Sequence, residues 1–438
     1  MDLTQLAERT LQCAIDQGAD EVDCQVHEGR RVELARREGK LERATEATSR
    51  RLSLAVLKDD RYSSHSTSDL RPLALDAFVT RAVESTHYLE PEPARRQADE
   101  SLCGRGVSEE SLDQNDPAWA QRGADEREAA SAELEAALAA LRSPAVISSA
   151  VRCSDGQGRT IRIMTNGFRG ESRGAWFSAG GTLTLREGDK RPESSAYYGA
   201  RYLSDLPRPE AIAAEVLRRS EERIGAAPIA SGSYSMWLPG RLAGKILSVL
   251  RAPLSGASLH QGRSCLAGKL GTSIGSEHFT LVDDPSIPRG LGSRPWDGDA
   301  LRSRTRTIVR AGVLEQYNIG VYHSRKLDRP ATGGGASNWV IPPGSRAPID
   351  IARDHPRLIE VTGFLGGNSN GVSGDFSFGI RGVYWEAGER GPSLAEMNVS
   401  GNALKLFHSL VEVGNDPWIY SSVRSPSLVF EGVQFSGT

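Results

Sequence analysis

Residues 32–58 read VELARREGKLERATEATSRRLSLAVLK, and their pattern decides what kind of fold the chain adopts. Around Glu38-Gly39 the segment 32–46 predicts a hairpin, because a Gly at a two-residue connection supplies the positive φ that such turns demand. Residues 51–58 predict a further strand with Leu52, Leu54 and Val56 on one face. Upstream, Val22, Cys24 and Val26 alternate as in a strand. Before them Leu3, Leu6, Ala7, Leu11, Ala14 and Ile15 recur at helical spacing, with Gly18 as the stop. Downstream, KDDR (58–61) predicts a turn, and Ser68 or Asp69 is placed to cap a helix over 69–87. Helix, successive antiparallel strands and helix define an α+β pattern rather than a βαβ repeat.

The same reasoning runs along the chain. Residues 90–125, rich in Pro, Glu, Asp, Arg and Ser, predict an irregular surface excursion or lid-like loop. A helix of strong formers follows at 125–142. Strands are expected near 145–153 and 158–165 around SDGQG, then near 174–185 and 194–201. Residues 209–225 predict a helix with Pro in its first turn and Gly after its end. The domain boundary is expected just beyond, dividing the chain into residues 1–225 and 226–438. The N-terminal part is expected to be an α/β sandwich-like domain. The rest is Gly-rich, with strand signals near 277–282, 304–310, 313–319, 357–362, 376–386, 393–399 and 427–435 and helices near 239–252 and 401–412. Short strands joined by Gly and Pro turns predict a largely antiparallel, barrel-like domain with a few helices.

Composition narrows the function classes. The 438 residues are 38% apolar and 25% charged, which supports a packed core in two domains. A net charge of −3 leaves no basic footprint for nucleic acid, and no apolar run reaches the ~20 residues of a membrane span. The start, with Asp2, Glu8 and Asp16, lacks the basic region of a signal peptide. Cys13, Cys24, Cys103, Cys153 and Cys265 are scattered without a CxxC pair, which fits a reduced cytoplasm and no structural zinc.

Candidate chemistry is sparse. The one His-Glu pair, His27-Glu28, is followed by GRRVEL without a second histidine, so it reads as strand-edge polarity. His260 and Cys265 stand five apart beside a Ser/Gly turn, but Cys265 lacks an electropositive signature and reads as a small apolar residue. Asp283-Asp284 and Asp297/Asp299 can serve either acid–base chemistry or, beside Pro and Gly, turns and caps. The glycine-rich stretches 332–338 and 366–379 match no phosphate-loop motif. The second is either a long ordered turn or a backbone-rich wall for an extended peptide. The candidate peptide contacts are Gly334, Asn368, Asn370, Ser373 and Asp375.

Several stretches, in this order, resemble the TldD/PmbA family and most closely its PmbA (TldE) branch. They are NGFRGE (166–171), LSGASLHQGRSCLAGKLG (254–271), ATGGGAS (331–337), NSNGVSGDFSFGIRGVYWEAGE (368–389), PSLAEMNVSGNALKLF (392–407) and SPSLVFEGVQFSG (425–437). The long run 281–327 and the opening sheet 32–70 belong to the same set. The resemblance implies a two-domain α+β fold whose subunits dimerise around a large cavity. In the TldD branch a helix bearing HExxxH and a downstream cysteine hold a zinc for peptide hydrolysis. Aligned through the Gly/Ser turn, that motif falls on LSVLRA (247–252), where Leu247 and Ala252 stand at the histidine positions and Ser248 at the glutamate position. The cysteine segment falls near VGNDPWIY (413–420), which has no cysteine.

The resemblance therefore implies a chain with no catalytic residue and no cofactor of its own, and zinc in a TldD-like, HExxxH-bearing partner. Such a heterodimer would degrade or process peptides, including removal of leaders from modified precursors. A homodimeric peptide-binding or regulatory protein without proteolysis is the alternative, and metal-independent chemistry through Asp283, Asp284 or Asp297 is a third.

Overall fold

The computed structural model describes residues 2–104, 106–141 and 144–437. Helix α1 (Leu3–Asp16) leads into β1 (Glu21–Arg37), β2 (Lys40–Lys58) and β3 (Arg61–Thr67), followed by α2 (Pro72–Ser85). The first hairpin turns at Glu38 and Gly39, with φ of 48° and 80°, as the two-residue connection requires. The strand expected at 51–58 is the second half of β2, which runs unbroken for 19 residues. Leu52, Leu54 and Val56 are fully buried on its inner face. Neither Ser68 nor Asp69 caps α2. The cap position is Arg71, whose backbone and guanidinium both donate to Asp69, and Pro72 sets the first turn.

Beyond 90, a one-turn helix α3 (Glu109–Leu112) and short 3-10 turns precede α4 (Ala124–Ala140), β4 (Val146–Met164), β5 (Arg169–Leu185), β6 (Glu193–Ala200) and α5 (Pro209–Glu221). The final residue of the helix expected over 125–142, Arg142, lies outside the described residues. The six strands form one antiparallel sheet in the order β3-β2-β1-β4-β5-β6. Its helices lie on one face. Val22, Cys24, Val26, Ile161 and Ile163 pack on α1 and α2, while Val151, Leu183 and Ala196 pack on α4 and α5.

Two expectations fail here for one reason, pairing with distant chain. The turn expected at SDGQG is the middle of β4, hydrogen-bonded on one side to β1 and on the other to β5. Position 156 in that strand requires glycine, since a Cβ there would stand 2.7 Å from Trp176 Nε1 and 2.9 Å from the Arg30 carbonyl. Asp155 points inward into an ion pair with Arg127, both nearly fully buried. Residues 90–125, expected as a surface excursion, instead strap the sheet to the C-terminal half. The Arg289 N–H donates to the Leu112 carbonyl at 2.7 Å, Gln114 Nε2 to the Ser293 carbonyl at 2.7 Å, and Arg302 Nε to the Cys103 carbonyl at 2.8 Å. Cys103, Phe168, Trp296 and Leu301 close a small apolar core at the junction.

The C-terminal half contains β7 (Gly232–Leu238), α6 (Gly240–Leu247), α7 (Gly256–His260), β8 (Leu281–Asp283), β9 (Arg306–Arg310), β10 (Val313–Leu314), α8 (Val321–Leu327), β11 (Trp339–Val340) and α9 (Pro348–Ala352). It continues with β12 (Arg357–Phe364), β13 (Asn368–Ser369), β14 (Asp375–Glu386), β15 (Glu389–Asn402), α10 (Ala403–His408), β16 (Leu410–Val413), β17 (Val423–Arg424) and β18 (Leu428–Ser436). β7 pairs with β18, β18 with β15, β15 with β14, β14 with β12, and β12 with β7, so five strands close into a barrel. Only the β12–β7 pairing in that ring is parallel. A second sheet, β10-β9-β8-β11-β17, packs on the same core. The expected α+β class and barrel-like C-terminal half are thus present. The short helices α7, α8 and α9 were not expected, and the strand expected at 313–319 is only the two-residue β10. None of the helices is long and apolar enough to cross a membrane among the described residues.

Candidate functional site

The segment 247–252 closes α6 and passes through a 3-10 turn at Ser248–Leu250. Leu247 and Leu250 are fully buried in the main core. Ser248 is exposed and donates its hydroxyl to the Lys245 carbonyl at 2.6 Å. Ala252 is exposed beside Gly371, where an added Cβ would lie 3.6 Å from the Ala252 methyl. A zinc site needs three converging N, O or S donors. These three side chains offer a hydrocarbon pointing into the core, a locally bonded hydroxyl and a methyl, so they do not fit the ion. Among the described residues, no group of three His, Cys, Asp or Glu side chains stands close enough to hold a metal.

His260 is exposed at the end of α7, with its ring 6.3 Å from that of His323. Burial and the neighbouring His260 lower the pKa of His323 below the ordinary histidine value. Cys265 is half-buried, its thiol pushed up by burial, and its N–H donates to the Gly371 carbonyl at 3.0 Å. It is a packing residue for the glycine-rich loop, not a thiolate.

That loop spends most of its polar groups on itself. Asn370 Oδ1 accepts the Val372 N–H at 2.9 Å, and the Asn370 carbonyl accepts the Gly374 N–H at 2.7 Å. Asp375 accepts from Asn402 Nδ2 at 3.0 Å, a bond that holds its carboxyl below the usual range, and Ser373 Oγ accepts the Asp375 N–H at 3.3 Å. Asn368 is exposed in β13 opposite Ser377. Gly334 belongs to another loop, against Gly320 and Asp299, with its N–H on Asp297 Oδ2 at 3.1 Å. Asn370→Ala is expected to lower stability by about 1 kcal/mol, seen as a shift of the urea midpoint. Loss of peptide binding at unchanged stability would instead make the loop a recognition element.

The acidic pairs are consumed by structure. Asp283 is buried, accepts Ser337 N–H and Oγ at 2.6 and 2.7 Å, and pairs with Arg306. Asp284 holds Ser286 and Thr305. Asp297 accepts the N–H groups of Asp299 and Leu301, and Asp299 that of Val321. Burial, reinforced by Asp297, raises the pKa of Asp299.

The open face of the N-terminal sheet, opposite its helices, carries the feature that the sequence hides. Gly29, Gly158 and Gly174 stand side by side on β1, β4 and β5. Above them, against residues 293–296, lies a cavity of about 570 Å³. Its walls include Arg30, Arg31, Arg173, Arg201, Arg294 and Trp176, and no Asp or Glu lines it among the described residues. Only the shared register of the three glycines, invisible until the strands are paired, could have pointed to it.

The fold and this architecture define a two-domain α+β protein with a closed barrel in its C-terminal half. The profile of the PmbA/TldA metallopeptidase C-terminal domain matches residues 231–437, and that of PmbA/TldA metallopeptidase domain 1 matches residues 22–86. The chain belongs to the TldD/PmbA family. It is 25% identical over 411 residues to Metalloprotease PmbA of Escherichia coli, covering 93% of this chain and 90% of that one. A solved Bacteroides thetaiotaomicron protein, described as a candidate modulator of DNA gyrase, matches at TM-score 0.94 and 34% identity over 99% of both chains. TldE from Thermococcus kodakarensis matches at TM-score 0.84 and 18% identity, over 99% of this chain and all of that one, a likeness of fold.

Proposed function

We propose that this chain is a non-catalytic subunit of a TldD/PmbA-type zinc peptidase assembly in the cytoplasm. It would complete the chamber in which an HExxxH-bearing partner cleaves small or modified peptides, leader removal among them. The observation that carries the proposal is the joint replacement of all three motif positions by Leu247, Ser248 and Ala252, with Leu247 sealed in the core. Restoring one side chain there would not rebuild a site, since zinc catalysis needs its ligands and an open water position together.

The test is metal analysis and peptide hydrolysis on the purified chain, alone and co-expressed with an HExxxH family member from the same cell. Alone, the chain is expected to hold far less than one zinc and to cleave nothing. Together, the two are expected to co-purify in equal amounts with activity that a chelator removes. One tightly bound zinc and hydrolysis by the chain alone would overturn the proposal. A stable homodimer that ignores the HExxxH protein would favour the peptide-binding alternative.

A further inference from the structure

We infer that the cleft between the open face of the N-terminal sheet and residues 293–296 binds a carboxylate-bearing stretch of an extended peptide. That the ligand is a peptide rests on the proposed function; that it is anionic rests on the charges alone.

Five arginines line the cleft, and three are neutralised by carboxylates outside the lining. Arg30 pairs with Glu46 at 2.7 Å, Arg31 with Glu33 at 2.6 Å and Arg173 with Glu171 at 2.6 Å. Arg201 and Arg294 have no carboxylate within ion-pair distance among the described residues. Arg201 donates only to the carbonyls of Ala175 and Leu291, at 3.2 and 3.0 Å, and Arg294 to that of Gly335 at 2.6 Å. Each keeps a buried Nε–H with no acceptor. Burial pulls Arg201 below the ordinary arginine pKa, with nothing opposing it. Carbonyl dipoles orient these guanidinium groups without neutralising them, so the cleft carries two uncompensated charges in a partly desolvated place. An incoming carboxylate would meet a prepositioned, charge-assisted donor set.

The glycines make this possible. A Cβ at Gly174 would stand 3.1 Å from an Arg201 amino nitrogen, and Cβ atoms at Gly29 and Gly158 would stand 3.1 and 3.0 Å from the His27 ring. The guanidinium and the imidazole therefore lie flat on the sheet, which leaves the space above free. β1 and β4 are paired on both edges beneath the cleft, so recognition there comes from side chains.

Isothermal titration of the full chain, without partner, tests this with four probes. They are a hexapeptide alternating Glu with Ala, its C-terminally amidated form, the amidated form with Gln for Glu, and inorganic phosphate. The acidic peptide is expected to bind with a strong salt dependence, and the uncharged one at least about tenfold more weakly. Comparing the first two separates a C-terminal carboxylate from acidic side chains as the recognised group. Arg201→Met and Arg294→Met should each weaken binding about tenfold. Ser49→Glu adds a carboxylate to the exposed wall without touching a buried group, and should do the same in a protein of unchanged thermal midpoint. It decides the matter if the arginine variants misfold. Equal affinity for the Gln peptide, insensitivity to Ser49→Glu, or binding of phosphate to the exclusion of the peptides would overturn the inference. No cleavage is read, so failure here leaves the subunit proposal standing. A chain that hydrolyses peptides by itself would remove the subunit proposal and leave the cleft.

Discussion

Asp155→Ala is expected to lower the stability of the N-terminal half by about 3–5 kcal/mol, because it strands a buried positive charge. The carboxylate sits in the middle of β4 and is only 3% exposed. It accepts Arg127 Nε at 2.9 Å and Nη2 at 2.9 Å, Arg122 Nη1 at 3.2 Å and the Trp119 indole N–H at 2.8 Å. Arg127 belongs to α4 and Trp119 to the strap, so one side chain ties helix, strap and sheet together. Without it, Arg127, itself 5% exposed, keeps its charge with backbone carbonyls as its remaining acceptors. Asp155→Asn preserves the shape and should cost less, while still leaving the arginines unneutralised. Urea unfolding followed by circular dichroism at neutral pH reads both variants. A loss below about 1 kcal/mol for the alanine variant would mean that water replaces the carboxylate and that the pair is not buried in solution.

Asp283→Asn is expected to destabilise the C-terminal half by a similar amount, about 3 kcal/mol or more. Asp283 is 2% and Arg306 7% exposed, and the pair anchors β8 and β9 to the 331–337 loop through Ser337 and the Thr332 carbonyl. The amide keeps one acceptor for Ser337 but no longer balances Arg306. This variant also bears on metal-independent chemistry. A catalytic carboxylate must reach its substrate, and this one is enclosed with its oxygens already accepting. Midpoint shifts alongside peptide hydrolysis by the full assembly separate the two roles. Lowered stability with unchanged activity per folded molecule is the expected result; lost activity at full stability would make Asp283 a catalytic group.

The parts of the fold legible in the sequence were those specified within a few residues. The turn at Glu38-Gly39, helices α1, α4 and α5, and the strands expected at 376–386 and 393–399 follow from periodicity, glycine and proline. The cap of α2 was misplaced by two residues because Asp69 prefers the Arg71 backbone and guanidinium. SDGQG carries four turn-forming residues yet lies in a strand. Two pairing partners and one buried ion pair outweigh a local preference worth about 1 kcal/mol. Residues 90–125 look loop-like because what fastens them is remote in the chain. The Leu112 and Cys103 carbonyls accept from Arg289 and Arg302, the Ala94 and Gln97 carbonyls from Arg325, and Gln114 donates to the Ser293 carbonyl.

The candidate site divides the same way. Which side chains occupy 247–252 is a property of the sequence alone: Leu247, Ser248 and Ala252 stand where the resemblance implies the HExxxH side chains. That Leu247 is sealed in the core, that Asn370, Ser373 and Asp375 mostly serve their own turn, and that Gly334 sits in a different loop are decided by packing. The arginine cleft belongs wholly to the tertiary structure. Arg201 and Arg294 are 93 residues apart in the chain, and each alone reads as an ordinary surface cation. Charge without a counter-charge is a statement about distances, and distances between remote residues exist only once the strands have chosen their register.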